Sequence, residues 1–104
     1  MAIRTWADED DLVAMFICRY GADRLGVTVE EAARRIGKPV GSLRMRVSNF
    51  RAFYSGHGLG NYGVRPARLD GQFGKLSEAE LLERVLRHLG VDRAESNGPA
   101  GSKP

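Results

Sequence analysis

Apolar residues recur at helical spacing in four stretches of this chain. Through "DLVAMFICRYG", Leu12, Phe16 and Arg19 or Tyr20, with Val13 and Ile17 beside them, form a stripe of 3.6-residue period. The pattern predicts a first helix from near Asp8 to Gly21. Asp8 or Thr5 can cap it, and the acids at 8 to 11 suit the positive end of its dipole. Trp6, just ahead of the cap, is expected to fold back on the helix as a staple. A second helix, "VEEAARRIG", opens on the capping box Thr28 to Glu31 and stops at Gly37, with Pro39 forbidding continuation. A third begins around Val40 to Ser42 and continues "SLRMRVSNFRAFY". Its Leu43, Val47, Phe50 and Tyr54 share one narrow arc, and Gly41, Met45, Ser48 and Ala52 the opposite one. After a glycine-rich loop, Ser55 to Gly74, a fourth helix reads "ELLERVLRHLG" behind the capping box Ser77 to Glu80.

The predicted fold is therefore all-α: a small helix-turn-helix bundle of three core helices plus a C-terminal fourth helix after a Gly-rich loop. With 104 residues it forms one domain, 1–92, followed by a polar tail, 93–104, expected to be disordered. Leu81, Leu82, Val85, Leu86 and Leu89 span an arc broader than one groove on a three-helix bundle covers, which leaves room for a homodimer through the fourth helix. A monomer whose core consumes that arc is the competing expectation.

The net charge of +3 hides an asymmetry. Residues 1–31 carry three basic and seven acidic groups, and residues 70–104 carry five and six. The 38 residues between them hold eight basic groups and no acid: Arg34, Arg35, Lys38, Arg44, Arg46, Arg51, Arg65 and Arg68. Such a segment points to one basic face and a polyanionic partner.

Two helices joined by a tight turn, the second rich in arginine, outline a helix-turn-helix. Ala33 and Gly37 stand four apart, where the motif needs a small residue at the crossing and a turn-former. Ile36, Leu43 and Val47 supply apolar contacts to lock the two helices. The "GKPVGS" turn is slightly longer than the commonest version, and Lys38 stands where an apolar residue is usual.

The stretch "EAARRIGKPVGSLRMRVSNFRAF" resembles the N-terminal DNA-reading module of HNH-type restriction endonucleases and related small bacterial or phage DNA-binding proteins. Ile36-Gly37-Lys38, Ser42-Leu43, Met45-Arg46 and Asn49-Phe50 carry the resemblance, and "GHGLGNYG" is similar to a Gly-x-x-Gly-Leu segment downstream in that family. Gly41 stands in place of a serine, and no nuclease domain follows within these residues. The resemblance implies DNA binding and does not carry over cleavage.

Helix geometry assigns base edges to Ser42, Arg44, Met45, Ser48 and Asn49. Arg34, Arg35, Lys38, Arg46, Arg51, Arg65 and Arg68 are assigned to phosphates. With about five of the eight cations on phosphates, the log–log salt slope would be near −4 to −5.

"GLGNYG", 58 to 63, also matches the Gly-x-Gly-x-x-Gly of dinucleotide sites. That motif needs a strand before it and a helix after it. Here a helix precedes, and Arg65-Pro66 is read as loop, so the dinucleotide reading is set aside. The glycines are expected instead to project Tyr62, Arg65 and Arg68 beside the third helix, or simply to connect to the fourth.

No catalytic centre is expected. His57 and His88 are the only histidines, and they form no His-Asn-His cluster and no zinc site with Cys18. His57 is read as an exposed bystander, His88 as a complement to a helix dipole, and Cys18 as a packing residue.

The leading function is thus a double-stranded DNA-binding regulator of bacterial or phage origin, in the cytoplasm. The alternative is a non-catalytic DNA-recognition subunit or adaptor that recruits a protein partner such as a nuclease. Neither calls for a cofactor, a metal, a membrane or a small-molecule ligand.

Overall fold

The structure, a computed structural model, describes residues 6–56 and 65–91. Thr5, the "GLGNYG" loop with His57 and Tyr62, and the tail after Val91 lie outside the described residues, as does the side chain of Arg65. Every regular element among the described residues is helical: α1 (Asp8–Tyr20), a 3-10 turn (Ala22–Leu25), α2 (Val29–Ile36), α3 (Val40–Ser55), α4 (Arg65–Phe73) and α5 (Glu78–Leu89).

α1 is the centre of the bundle. Five consecutive residues, Leu12 to Phe16, are fully buried, so apolar atoms cover its whole circumference. That is the pattern of a helix enclosed on all sides, not of one with a single core stripe. α3, α4 and α5 pack around it. Leu43, Val47 and Phe50 enter the core from α3, Leu69 from α4, and Leu81, Val85, Leu86 and Leu89 from α5. Those four α5 side chains, at 0–4 % exposure, are consumed by the chain's own core. Leu82 is partly buried against the same cluster, so the arc that motivated a dimer is filled from within.

The local signals work as read at most ends. The Thr28 hydroxyl accepts the Glu31 N–H at 3.0 Å, and Ser77 and Glu80 satisfy each other's backbone N–H groups at 2.9 and 3.1 Å. α1 is capped differently. Its N-cap is Ala7, whose N–H donates to Asp10 Oδ2 at 3.0 Å. The Ala7 side chain has no oxygen to accept a helix N–H in return, so only the Asp10 half of the reciprocal cap forms, and the Ala7 carbonyl accepts the Asp11 N–H at 3.1 Å.

α2 ends at Gly37, which takes φ 73°, ψ 32°. In that left-handed turn Lys38 N–H reaches back to Ala33 O at 3.0 Å, and Pro39 then starts α3. Ala33, 1 % exposed, lets the two helices approach.

α4 corrects the expectation of a continuous loop from Ser55 to Gly74. A helix begins at Arg65, with Pro66 in its first turn, where a missing N–H costs nothing. Pro66 and Leu69 are buried and Phe73 is partly so, a spacing of i, i+3, i+7 that fixes one face on the core. Gly74 closes the helix, its N–H 2.7 Å from Asp70 O. A Cβ there would stand 2.5 Å from that oxygen, so glycine is required. The dinucleotide reading thus loses one of its two objections, the missing helix. The other stands, because the element before "GLGNYG" is the helix α3.

Candidate nucleic-acid interface

Much of the basic segment is neutralised within the fold. The first turn of α1 carries Asp8, Glu9, Asp10 and Asp11, successive residues that point in four directions around the helix. Each meets a cation from another part of the chain. Asp8 pairs with Arg68 of α4 at 2.7 Å, and Glu9 with Arg84 of α5 at 3.2 Å. Asp10 lies 2.7 Å from His88 Nε2 and 3.8 Å from Lys38 Nζ, and Asp11 lies 3.2 Å from Arg46. The cluster serves as an electrostatic hub as well as a helix-dipole complement.

Trp6 completes this hub. Its ring carries the Arg46 guanidinium at 4.5 Å and the Lys38 ammonium at 5.6 Å. It packs on the core, but a residue at this position would staple against residue 11, which is an aspartate. The indole therefore shields two cations where a staple would meet an apolar side chain.

Three of the expected phosphate contacts are consequently committed inside. Lys38 has 7 % of its side chain exposed, between Asp10 and Trp6. Arg46 bridges α3 to the buried Asp11. Arg35 pairs with Glu31 at 2.8 Å and donates to Leu89 O and Gly90 O at 3.3 and 3.1 Å. It thereby satisfies the last carbonyls of α5, where a cation complements the helix dipole. Sequence reasoning assigned these three to phosphates, Arg46 from the inner edge of the helix, because charge was counted without partners. His88 stands in the last turn of α5, where it was expected, and also contacts Asp10.

The other cations whose side chains are described lie at the surface. Arg34 is 72 % exposed and donates to Glu31 at 2.9 Å. Arg44 is 55 % exposed and reaches Glu30 at 2.8 Å. Arg68 is tied to Asp8 and to Gln72, 2.7 and 3.1 Å away. Arg51 is exposed and has no acidic partner among the described residues. Arg65 begins α4.

On α3 the expected reading residues fall where the helical wheel puts them. Met45 is 65 % exposed, a large apolar side chain left in water. Ser48 is exposed, and Ser42 and Asn49 are half-buried. The Asn49 side chain makes no hydrogen bond to another described residue. Tyr54 departs from the core arc. It is 39 % exposed, and its hydroxyl donates to Asp70 of α4 at 3.0 Å. Burial first, and then the Asp70 carboxylate, push this phenol well above its ordinary range. The Cys18 thiol is likewise raised by burial, against the pull of Arg51 and Arg19. Among the described residues no three His, Cys, Asp or Glu side chains gather into a metal site. No described helix is long and apolar enough to cross a membrane.

The Glu31 fork gives a measurable pH signature. Hydrogen bonds from Arg34 and then Arg35 lower its pKa from 4.5 to about 2. A folded-state value below the unfolded one contributes stability above the unfolded pKa, and that contribution disappears on acidification. The melting temperature is therefore expected to fall between pH 4.5 and about 2, with a shallower decline in Glu31→Gln. Thermal scans across that range check it. Equal slopes for both proteins would remove Glu31 as a source.

No protein family, no curated protein and no solved structure matches this chain.

Proposed function

We propose that this protein is a non-catalytic, double-stranded DNA-binding protein, a small regulator that reads DNA with α3. The observation that carries the reading is the outer face of α3. A glycine–proline turn holds the helix against α2, and Arg44, Met45, Ser48 and Arg51 stand exposed along it. A helix presented in this way fits a major groove about 12 Å wide.

Arg44 is the proposed guanine contact, Asn49 an adenine contact and Met45 a thymine-methyl contact, with Ser42 and Ser48 beside them. Arg34 and Arg51 are the proposed phosphate contacts on α2 and α3, and Arg65 and Arg68 those on α4. Arg44 and Arg68 must exchange Glu30 and Asp8 for the nucleic acid, which reduces the net gain from each. The arrangement requires neither a cofactor nor a second copy.

Selection of bound fragments from a random duplex pool tests the reading. A defined consensus is expected. Arg44→Ala should relax one position of it by about 1–3 kcal/mol, and Arg51→Ala should weaken all sequences alike and reduce the salt slope by about one. A pool that returns no consensus would leave base reading without support.

A further inference from the structure

Between α1, the start of α2 and the middle of α3 lies an open cleft of about 300 Å³. Ile17, Val29 and Val47 supply its apolar lining, and Arg44, Ser48 and Arg51 its polar lining. The three apolar side chains belong to the core or pack directly on it, so the floor is firm. The polar lining has two guanidiniums and a hydroxyl. Glu30 offsets Arg44, whereas no described acid offsets Arg51.

These features select an occupant. A bare inorganic anion would use Arg51 and leave the apolar floor wet. A neutral apolar molecule would cover the floor and desolvate Arg51 without compensating it, which is costly. An apolar cavity of about 150 Å³ holds a benzene ring, so this cleft has room for a ring with a carboxylate attached. Glu30, paired with Arg44, repels an anion there and favours Arg51.

We propose that the cleft binds a small organic acid, a carboxylate on an apolar body about one ring in size. The carboxylate sits on Arg51 and Ser48, and the body lies on Ile17, Val29 and Val47. This departs from the sequence-based expectation of no small-molecule ligand. Because the occupant covers Ser48 and draws on the charge of Arg51, it also opposes DNA binding. That second statement rests on the DNA-binding reading above; binding to the cleft does not.

The experiment is a ¹⁵N-correlation NMR titration of the full chain with phenylacetate, its neutral isostere phenylacetamide, and acetate. Phenylacetate should give saturable shifts at Val29, Val47 and Ser48, with a Kd on the order of 1 mM for so small a ligand. Arg51→Gln, whose native-like spectrum shows that it folds, should weaken it about tenfold. Equal affinity for phenylacetamide, shifts with acetate alone, or no saturation with phenylacetate would overturn the proposed site. Coupling is read by adding phenylacetate to the duplex complex, against sodium chloride at the same ionic strength. Lower DNA affinity with phenylacetate alone supports antagonism, and equal affinity rejects it while leaving the site intact. A chain that binds no DNA in the absence of ligand also rejects antagonism, and the NMR titration then stands alone.

Discussion

Phe16→Ala is expected to destabilise the fold by about 3–5 kcal/mol, which lowers the melting temperature of a domain this size by roughly 15–30 °C. Phe16 is fully buried in the middle of α1, the helix that α3, α4 and α5 all contact. Its ring lies 5.0 Å from that of Tyr20 and is one of the largest side chains completely removed from water. Truncation loses the transfer free energy of the ring and leaves a cavity that several elements would have to move to fill. A helix enclosed on all sides cannot shift toward one neighbour without opening a gap at another. Urea unfolding should show a lower midpoint with an unchanged slope, as for a less stable protein that unfolds in the same two-state way. A loss below about 1 kcal/mol would mean that α1 is not enclosed as described.

Asp11→Ala is expected to cost about 2–3 kcal/mol, below the 3–5 kcal/mol typical of breaking a fully buried pair, because Arg46 keeps some contact with water. Asp11 is 1 % exposed and Arg46 is 30 % exposed, with the guanidinium packed on Trp6. Removing the carboxylate strands that guanidinium between an indole and the core. Replacing both partners, Asp11→Leu with Arg46→Met, should recover most of the loss, since well-packed apolar side chains often match a buried ion pair. Glu9→Gln, by contrast, opens a pair that is largely in water and should cost less than about 1 kcal/mol. Urea midpoints of the three variants check the order. A double variant no better than Asp11→Ala would show that the pair contributes more than mutual compensation.

The contrast between these acids shows what the sequence could and could not reveal. Thr28, Ser77, Gly37 and Gly90 mark helix ends through bonds within a few residues, so the boundaries of α2 and α5 were legible locally. α4 was hidden by Pro66, read as loop although it sits in a first turn, and by Gly71 inside the helix. The spacing of Pro66, Leu69 and Phe73 was the available signal.

The partners of Asp8 to Asp11 lie 28 to 78 residues away in sequence, and no local pattern names them. A clue existed in their run of four. Side chains 100° apart on a helix buried all round must face several neighbours, and an acid buried among them needs a cation. The candidate face of α3 was legible because helical geometry alone sorts Leu43 and Val47 from Met45 and Ser48. Which cations remain free for a polyanion was not, because that depends on the whole fold.

The most direct measurement of the central claim is the affinity for a fluorescently labelled DNA duplex as a function of salt. With Lys38, Arg35 and Arg46 committed inside, about three or four surface arginines remain for phosphates, and the log–log slope should be near −3 to −4. This is shallower than the count of basic residues in the sequence alone implies. Anisotropy titrations from about 50 to 200 mM salt should therefore show a loss of roughly two orders of magnitude in affinity. No binding at about 50 mM salt with duplex near 100 μM, where even non-specific binders associate, would contradict the account.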